Sequence, residues 1–307
     1  MIRAFLLLLT LLAAAPAAAQ QGRAAAPAPE PLTPLMWEIR KGDARVTLFG
    51  TVHALPRGVN WFRPHVVEAL DAADVLVLET RVPDGPGMAP EMLRLARLSA
   101  PRPVLERVPP EWQARLNAEL LRLKPMPLEW MKTWFIAVTL VNLEAERNGF
   151  SPAIGVEAVL TERARMRSRQ VRALETLEEQ LNFFNALSEA DQQQLLIATI
   201  ERMGEARARS NQLVQDWLAG RADALAMLVA SDFERSPMLE QMLLKDRNER
   251  WAAWIAKEMQ TPGHRFVAVG AGHFIGRHSV LEKLKRHGLE AQPVMPPPPP
   301  RRTPRRR

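Results

Sequence analysis

Two histidines stand in near-identical local settings. Gly50-Thr51-Val52-His53 and Gly270-Ala271-Gly272-His273 each follow a short apolar run, Val46 to Phe49 and Phe266 to Val269. Two glutamates share a second setting: the runs Val75 to Leu78 and Val171 to Leu174 both end in Leu-Glu-Thr, at Glu79 and Glu175. A carboxylate at the end of a buried run is costly unless paired or ligated. Glycine allows a sharp exit or a close backbone approach, so Gly50, Gly270 and Gly272 read as motif glycines that carry each histidine beyond its strand. In chain order the set is His53, Glu79, Glu175, His273. Two imidazoles and two carboxylates suit a divalent ion, with zinc, manganese and cobalt as candidates. They equally suit metal-free acid–base chemistry, one His as base and a Glu orienting it.

The residues the chain lacks narrow this chemistry. It has no cysteine, which removes a thiolate metal site, a disulfide framework and a cysteine nucleophile. It has no tyrosine, so a general acid must be His, Asp, Glu, Lys or water. His-Glu-x-x-His, Gly-x-Ser-x-Gly, Walker and Gly-x-Gly-x-x-Gly patterns are all missing, which counts against a zincin, a serine hydrolase, a P-loop enzyme and a dinucleotide enzyme. His65 and His278 form helix-spaced pairs with Glu68 and Glu282 that read as solvated. His264 reads as a loop residue and His287 as a helix end.

The elements that must position the set follow from the apolar pattern. The four apolar runs are expected as buried strands, with edge strands at Trp37 to Lys41 and Glu290 to Val294. Helical spacing covers Pro64 to Ala73, Glu111 to Leu123, Leu128 to Arg147, Leu177 to Ala186, Glu189 to Met203, Gln212 to Leu218, Asp223 to Val229 and Met238 to Met259. Strands alternating with helices predict an α/β fold: a mixed, largely parallel central sheet with crossover helices and a large helical excursion before the fourth strand. The matched strand endings suggest a pseudo-two-fold repeat. Parallel strands deliver their carboxyl ends to one edge, where α/β sheets gather ligands. Leu128 to Arg147 is apolar but interrupted by Glu129, Lys132, Glu144 and Glu146, so it is expected as a core helix rather than a membrane span.

Both ends read as lying outside this fold. Residues 1–19 join a short basic start to an apolar run and Ala17-Ala18-Ala19, the pattern of a signal peptide. That predicts export, to a periplasmic or secreted location. Residues 20–34 read as an Ala/Pro-rich linker, 35–295 as the domain, and 296–307 as a Pro/Arg-rich disordered tail. Five arginines in the last seven residues and Arg3 account for all but one unit of the net charge of +7. The body is therefore near neutral, with no specific nucleic-acid partner expected. Weak contact with an anionic surface would fall to the tail.

With these motifs the chain resembles the TraB/GumN (TraB/PrgY/GumN) family. The resemblance rests on Leu48 to His53 with Trp61 and Pro64, on Leu76 to Glu79, on Ala173 to Thr176 through Gln180-Leu181, on Arg247-Asn248, and on Val267 to Gly276. It implies kinship with the TIKI proteins, metal-dependent proteases of animals, and with the erythromycin esterase and ChaN-like group. It also implies an exported, metal-supported hydrolase using His53, Glu79 and His273, with Arg247 stabilising an anion. One position departs from the family pattern: Glu157 stands where an Asp is expected, so the longer carboxylate must still reach its partner if it is to act.

Three readings therefore stand. The first is a divalent-metal-dependent hydrolase of peptide or ester bonds, with His53, His273, Glu79 and Glu175 as ligands and Glu79 and Arg247 as catalytic groups. The second is a non-catalytic module that binds a peptide or small molecule in the same crevice. The third is a metal-free hydrolase with His as general base.

Overall fold

A computed structural model describes residues 34–81, 88–234 and 236–294. The expected leader, all but the end of the linker, and the arginine tail lie outside the described residues. The chain forms β1 (Met36–Lys41), β2 (Ala44–Thr51), β3 (Leu55–Pro56), β4 (Val75–Thr80), β5 (Phe150–Ser151), β6 (Gln170–Glu175), β7 (Gly263–Gly270) and β8 (Gln292–Pro293). Six of these make the central sheet, in the order β6-β4-β7-β2-β1-β8. The β2–β7, β4–β7 and β4–β6 pairs are parallel, whereas β1 runs antiparallel to both β2 and β8. This is the mixed, largely parallel sheet the sequence predicts. The spatial order sets the two histidine strands side by side and the two glutamate strands side by side; a two-fold repeat is not evident in it.

Alternation along the strands explains why the sheet is covered on both faces. Val46 and Leu48 of β2 and Val267 and Val269 of β7 pack with Trp251, Ile255 and Leu284 on one side. Phe49, Phe266, Leu76 and Leu78 point the other way, towards Trp61, Val66, Leu160 and Trp217. A second apolar core joins helices that precede β6 to the helical excursion between β6 and β7. There Thr133–Arg147 packs on Glu189–Arg202, and Trp134 stacks on Phe184 with ring centroids 5.5 Å apart. Among the described residues no helix is long and apolar enough to cross a membrane, in line with the reading of Leu128 to Arg147 as core.

Three local departures from the sequence expectation matter. Leu128–Trp130 is a separate 3-10 turn, and the helix itself starts at Thr133. The expected single helix Met238 to Met259 is instead Pro237–Glu240 and Asp246–Glu258 joined through a π-helical turn at Gln241–Lys245. The helix Val156–Met166 was not expected at all, although Val156, Leu160 and Ala164 carry a buried helical stripe behind Gly155.

Candidate active site

The carboxyl ends of β4, β6, β7 and β2 deliver Glu79, Glu175, His273 and His53 to one edge of the sheet, as the motif spacing predicts. Thr51 pairs with Gly270 across the β2–β7 ladder, so the two Gly-x-x-His exits are direct neighbours. Both histidines line one narrow crevice with Thr51, Gly270 and Gly272. Its volume is ≈ 30 Å³, where a single water needs roughly 10–15 Å³. Any side chain at the motif glycines would be crowded. A Cβ on Gly270 would lie 3.1 Å from Glu79 Oε1 and 3.2 Å from His53 Nε2, and one on Gly50 would lie 3.2 Å from Ala271.

His53 is buried, and its Nδ1–H donates to Glu157 Oε1 at 2.6 Å. Glu157 also accepts from the Thr51 hydroxyl. Glu157 sits in the first turn of Val156–Met166, whose Val156 N–H donates to Val52 O at 3.2 Å. Gly155 permits this docking, because a Cβ there would fall 2.0 Å from His53 O. The longer carboxylate thus reaches its partner. Burial opposes a charged His53 ring, but Glu157 and then Glu79 outweigh it and raise the ring to about 9.

His273 has the opposite surroundings. Its Nδ1–H donates to Asn248 Oδ1 at 2.6 Å, and its Nε2 accepts from Arg247 Nη1 at 3.3 Å. Asn248 is itself held by donation from Nδ2 to His278 O at 2.8 Å. Burial, then the Arg247 charge, hold His273 down to about 3, so the ring is neutral.

Arg247 is the central cation. Its Nη2 donates to Glu79 Oε2 at 2.8 Å, its Nε to both oxygens of Glu175 at 3.0 Å, and its Nη1 to Leu243 O at 3.1 Å. It also lies 4.6 Å from the Trp251 ring centroid. The Leu243 whose carbonyl it binds lies in the π-turn Gln241–Lys245 that precedes it. Burial would raise Glu79, but Arg247, His273, His53 and the Gly270 N–H keep it ionised, down to about 2. Glu175 accepts further from Arg250 at 3.2 Å and Trp251 Nε1 at 3.1 Å. It does not cap the following helix, because Thr176 and Glu179 form that capping box.

A resident divalent ion needs several such side chains aimed at one point, at roughly 2.0–2.2 Å per ligand. Among the described residues no three His, Asp or Glu side chains are so grouped. The oxygens of Glu175 are committed to Arg247, Arg250 and Trp251, and Arg247 Nη1 engages the His273 Nε2 lone pair, with Glu79 Oε1 3.7 Å away from it. In this arrangement the four residues do not fit a metal ion. Sequence reasoning missed Asn248 as the partner of His273 and left the reach of Glu157 open. The Gly155 cap and the Val156, Leu160, Ala164 stripe were the available signal for the latter.

The architecture and the site define an α/β protein with a buried polar cluster at the carboxyl edge of a mixed sheet. Residues 35–293 match the TraB/PrgY/gumN family, and the chain belongs to it. It is 24% identical over 316 residues to a zebrafish (Danio rerio) protein named Metalloprotease TIKI1, a match covering 85% of this chain and 63% of that protein. The chain thus spans less than two thirds of that relative. It is also 23% identical over 248 residues to the uncharacterized protein YbaP of Escherichia coli, covering 80% of this chain and 89% of that one. No solved structure matches.

Proposed function

We propose that the protein is a hydrolase of amide or ester bonds in which His53 transfers the proton and Glu157 orients it. The His53–Glu157 bond carries this reading. It ties Nδ1 to a carboxylate and leaves Nε2 at the crevice beside Gly270, whose other neighbour is Glu79 Oε1. An imidazole oriented through Nδ1, whose Nε2 holds a proton below about 9 and releases it above, is an arrangement suited to proton transfer. Water adds to the carbonyl carbon, and its proton passes through His53 Nε2 to the leaving nitrogen or oxygen as the C–N or C–O bond breaks. The products are an acid and an amine or alcohol. Glu79, ionised and fixed by Arg247 and Gly270, orients the water. Neutral His273 lines the opposite side, braced by Arg247. Kinship with a protein named as a metalloprotease supports the hydrolase class.

The test is turnover of peptide and ester libraries by wild type, His53→Gln and Glu157→Gln. Loss in His53→Gln with the fold retained is expected. Undiminished turnover would overturn the assignment.

The relative's name also favours a metal-dependent version with zinc, manganese or cobalt, for which His53, His273, Glu79 and Glu175 would have to regroup out of the arrangement described above. Elemental analysis of untagged protein decides it. One tightly held ion per chain, whose removal abolishes turnover, would put this version first. The leader pattern adds export to the proposal, checked by the N-terminus of the protein recovered outside the cytoplasm. The arginine tail adds weak attachment to anionic surfaces, checked by salt-dependent vesicle binding with and without residues 296–307.

A further inference from the structure

The near-neutral charge of the body conceals a local excess. Residues 163–172 hold five arginines and no acid, from the last turn of Val156–Met166 into β6. Asp71, the last residue of the helix Pro64–Asp71, gathers three of them. Arg163 donates from Nε to Asp71 Oδ1 at 2.8 Å and from Nη2 to Oδ2 at 2.5 Å. Arg167 Nη2 donates to Oδ2 at 2.9 Å, and Arg169 Nη2 to the Asp71 carbonyl at 3.0 Å. Three guanidinium groups thus share one carboxylate, and Met166 among them is 69% exposed. The backbone holds this tip in one shape. Ser168 N–H donates to Arg165 O at 2.9 Å and Arg169 N–H to Ala164 O at 2.8 Å, the paired bonds that close a helix through a left-handed residue. That residue is ordinarily glycine; here it is Ser168, with φ of 54°, the one positive-φ residue other than glycine among the described residues. The next position ordinarily turns an apolar side chain back onto the helix; here it is Arg169, which turns to Asp71. Cations suit the C-terminus of a helix, but that does not account for a methionine exposed among them.

We infer that this tip docks the protein on an anionic lipid surface, with Arg163, Arg167 and Arg169 against the headgroups and Met166 in the apolar layer beneath. Cations around an exposed apolar side chain match the two layers of such a surface, charge outside and hydrocarbon within. A nucleic acid or acidic polysaccharide matches the charge but offers the methionine no such layer. The tip lies just before β4 and β6 open, at the amino edge of the parallel strands, whereas the histidine crevice lies at their carboxyl edge. A docked protein therefore holds its crevice away from the surface, towards solution. The arginine tail is a separate element, because the chain leads to it from Val294, whose N–H donates to Met36 O at the carboxyl edge. None of this depends on the hydrolase reading.

The test needs no turnover. The chain has no cysteine, so Met166→Cys and Met227→Cys each take one environment-sensitive fluorophore on the full chain. Met227 is also 69% exposed, but it lies on the helix Ala222–Phe233, whose Leu225 and Val229 line the crevice. With vesicles of phosphatidylglycerol and phosphatidylcholine, the fluorophore at 166 is expected to shift to the blue and the one at 227 to stay unchanged. With phosphatidylcholine alone, neither shifts. Arg167→Ala with Arg169→Ala is expected to weaken binding to the anionic vesicles roughly 30-fold, about fivefold for each arginine. Met166→Asp weakens it without removing an arginine, which keeps the test decisive if the double variant folds poorly. Vesicle binding with no shift at 166 overturns the inference and leaves attachment to the tail. A fluorophore at 166 that responds to heparin or DNA but not to vesicles overturns it in favour of a polyanion. No binding to the anionic vesicles overturns it outright.

Discussion

His53 and His273 leave adjacent parallel strands by the same Gly-x-x-His spacing, with Thr51 and Gly270 paired across the ladder. Yet one ring is raised to about 9 and the other lowered to about 3. Both are buried, and burial disfavours the charge in each. The difference lies in the residue that meets Nδ1. For His53 it is a carboxylate brought by the helix Val156–Met166; for His273 it is the neutral Asn248 amide, on a helix that also brings the Arg247 cation. The strand exit decides where an imidazole sits. The helix packed against it decides which protonation state it keeps, and so which work it can do. The His53 turn is equipped to move a proton, whereas the His273 turn is equipped to accept a hydrogen bond and brace Arg247.

The contrast breaks most visibly in activity. His53→Gln is expected to lower turnover by roughly two to four orders of magnitude. His273→Gln should cost stability, about 1–3 kcal/mol from partners left short of a hydrogen bond, with the smaller effect on turnover. Paired kinetics and thermal melts of the two variants check this, and equal losses of turnover would erase the distinction.

A steric route reaches the same contrast. Gly155→Ala puts a Cβ where His53 O stands, 2.0 Å away, so the helix must retreat and take Glu157 with it. Stability should fall by about 1–3 kcal/mol or more, and a histidine-resolved NMR titration should show His53 moving towards its ordinary value while His273 stays neutral. Glu157→Gln isolates the charge from the backbone shift. The limb of the pH–rate profile governed by His53 should move down from about 9, rising with pH if the ring is a base and falling if it is an acid.

The smallest effect is on stability against pH, and its two limbs have opposite signs. His53 binds its proton more tightly folded than unfolded, so its contribution is complete below about 6.5 and is lost as pH climbs through about 9. His273 resists protonation when folded, so its contribution is complete above about 6.5 and is lost as pH falls towards about 3. Glu79 adds to the acid limb, losing its contribution between 4.5 and about 2. Chemical denaturation across pH should therefore lose its alkaline limb in His53→Gln and keep its acid limb.

Much of this arrangement was legible in the chain itself. Short apolar runs followed by Gly-x-x-His or Leu-Glu-Thr mark four strands and their exits, because burial and glycine sterics are local and repeat with the strand period. Parallel strands then share one carboxyl edge, so His53, Glu79, Glu175 and His273 had to meet there. Arg247-Asn248 was noticed as a motif, with Arg247 expected to stabilise an anion, but its ties to Glu79, Glu175 and His273 were not readable. A π-turn and a long helical excursion separate it from the strands, and neither leaves a periodic signature. The commitment of Glu175 to Arg247, Arg250 and Trp251, rather than to an ion, is likewise a matter of which side chains meet. So is the choice of Glu157 for His53 and Asn248 for His273. Sequence spacing determined where each ionisable group leaves its strand. Only the tertiary structure decided its partner, because in a buried site the sign of the nearest charge outweighs everything the local sequence can specify.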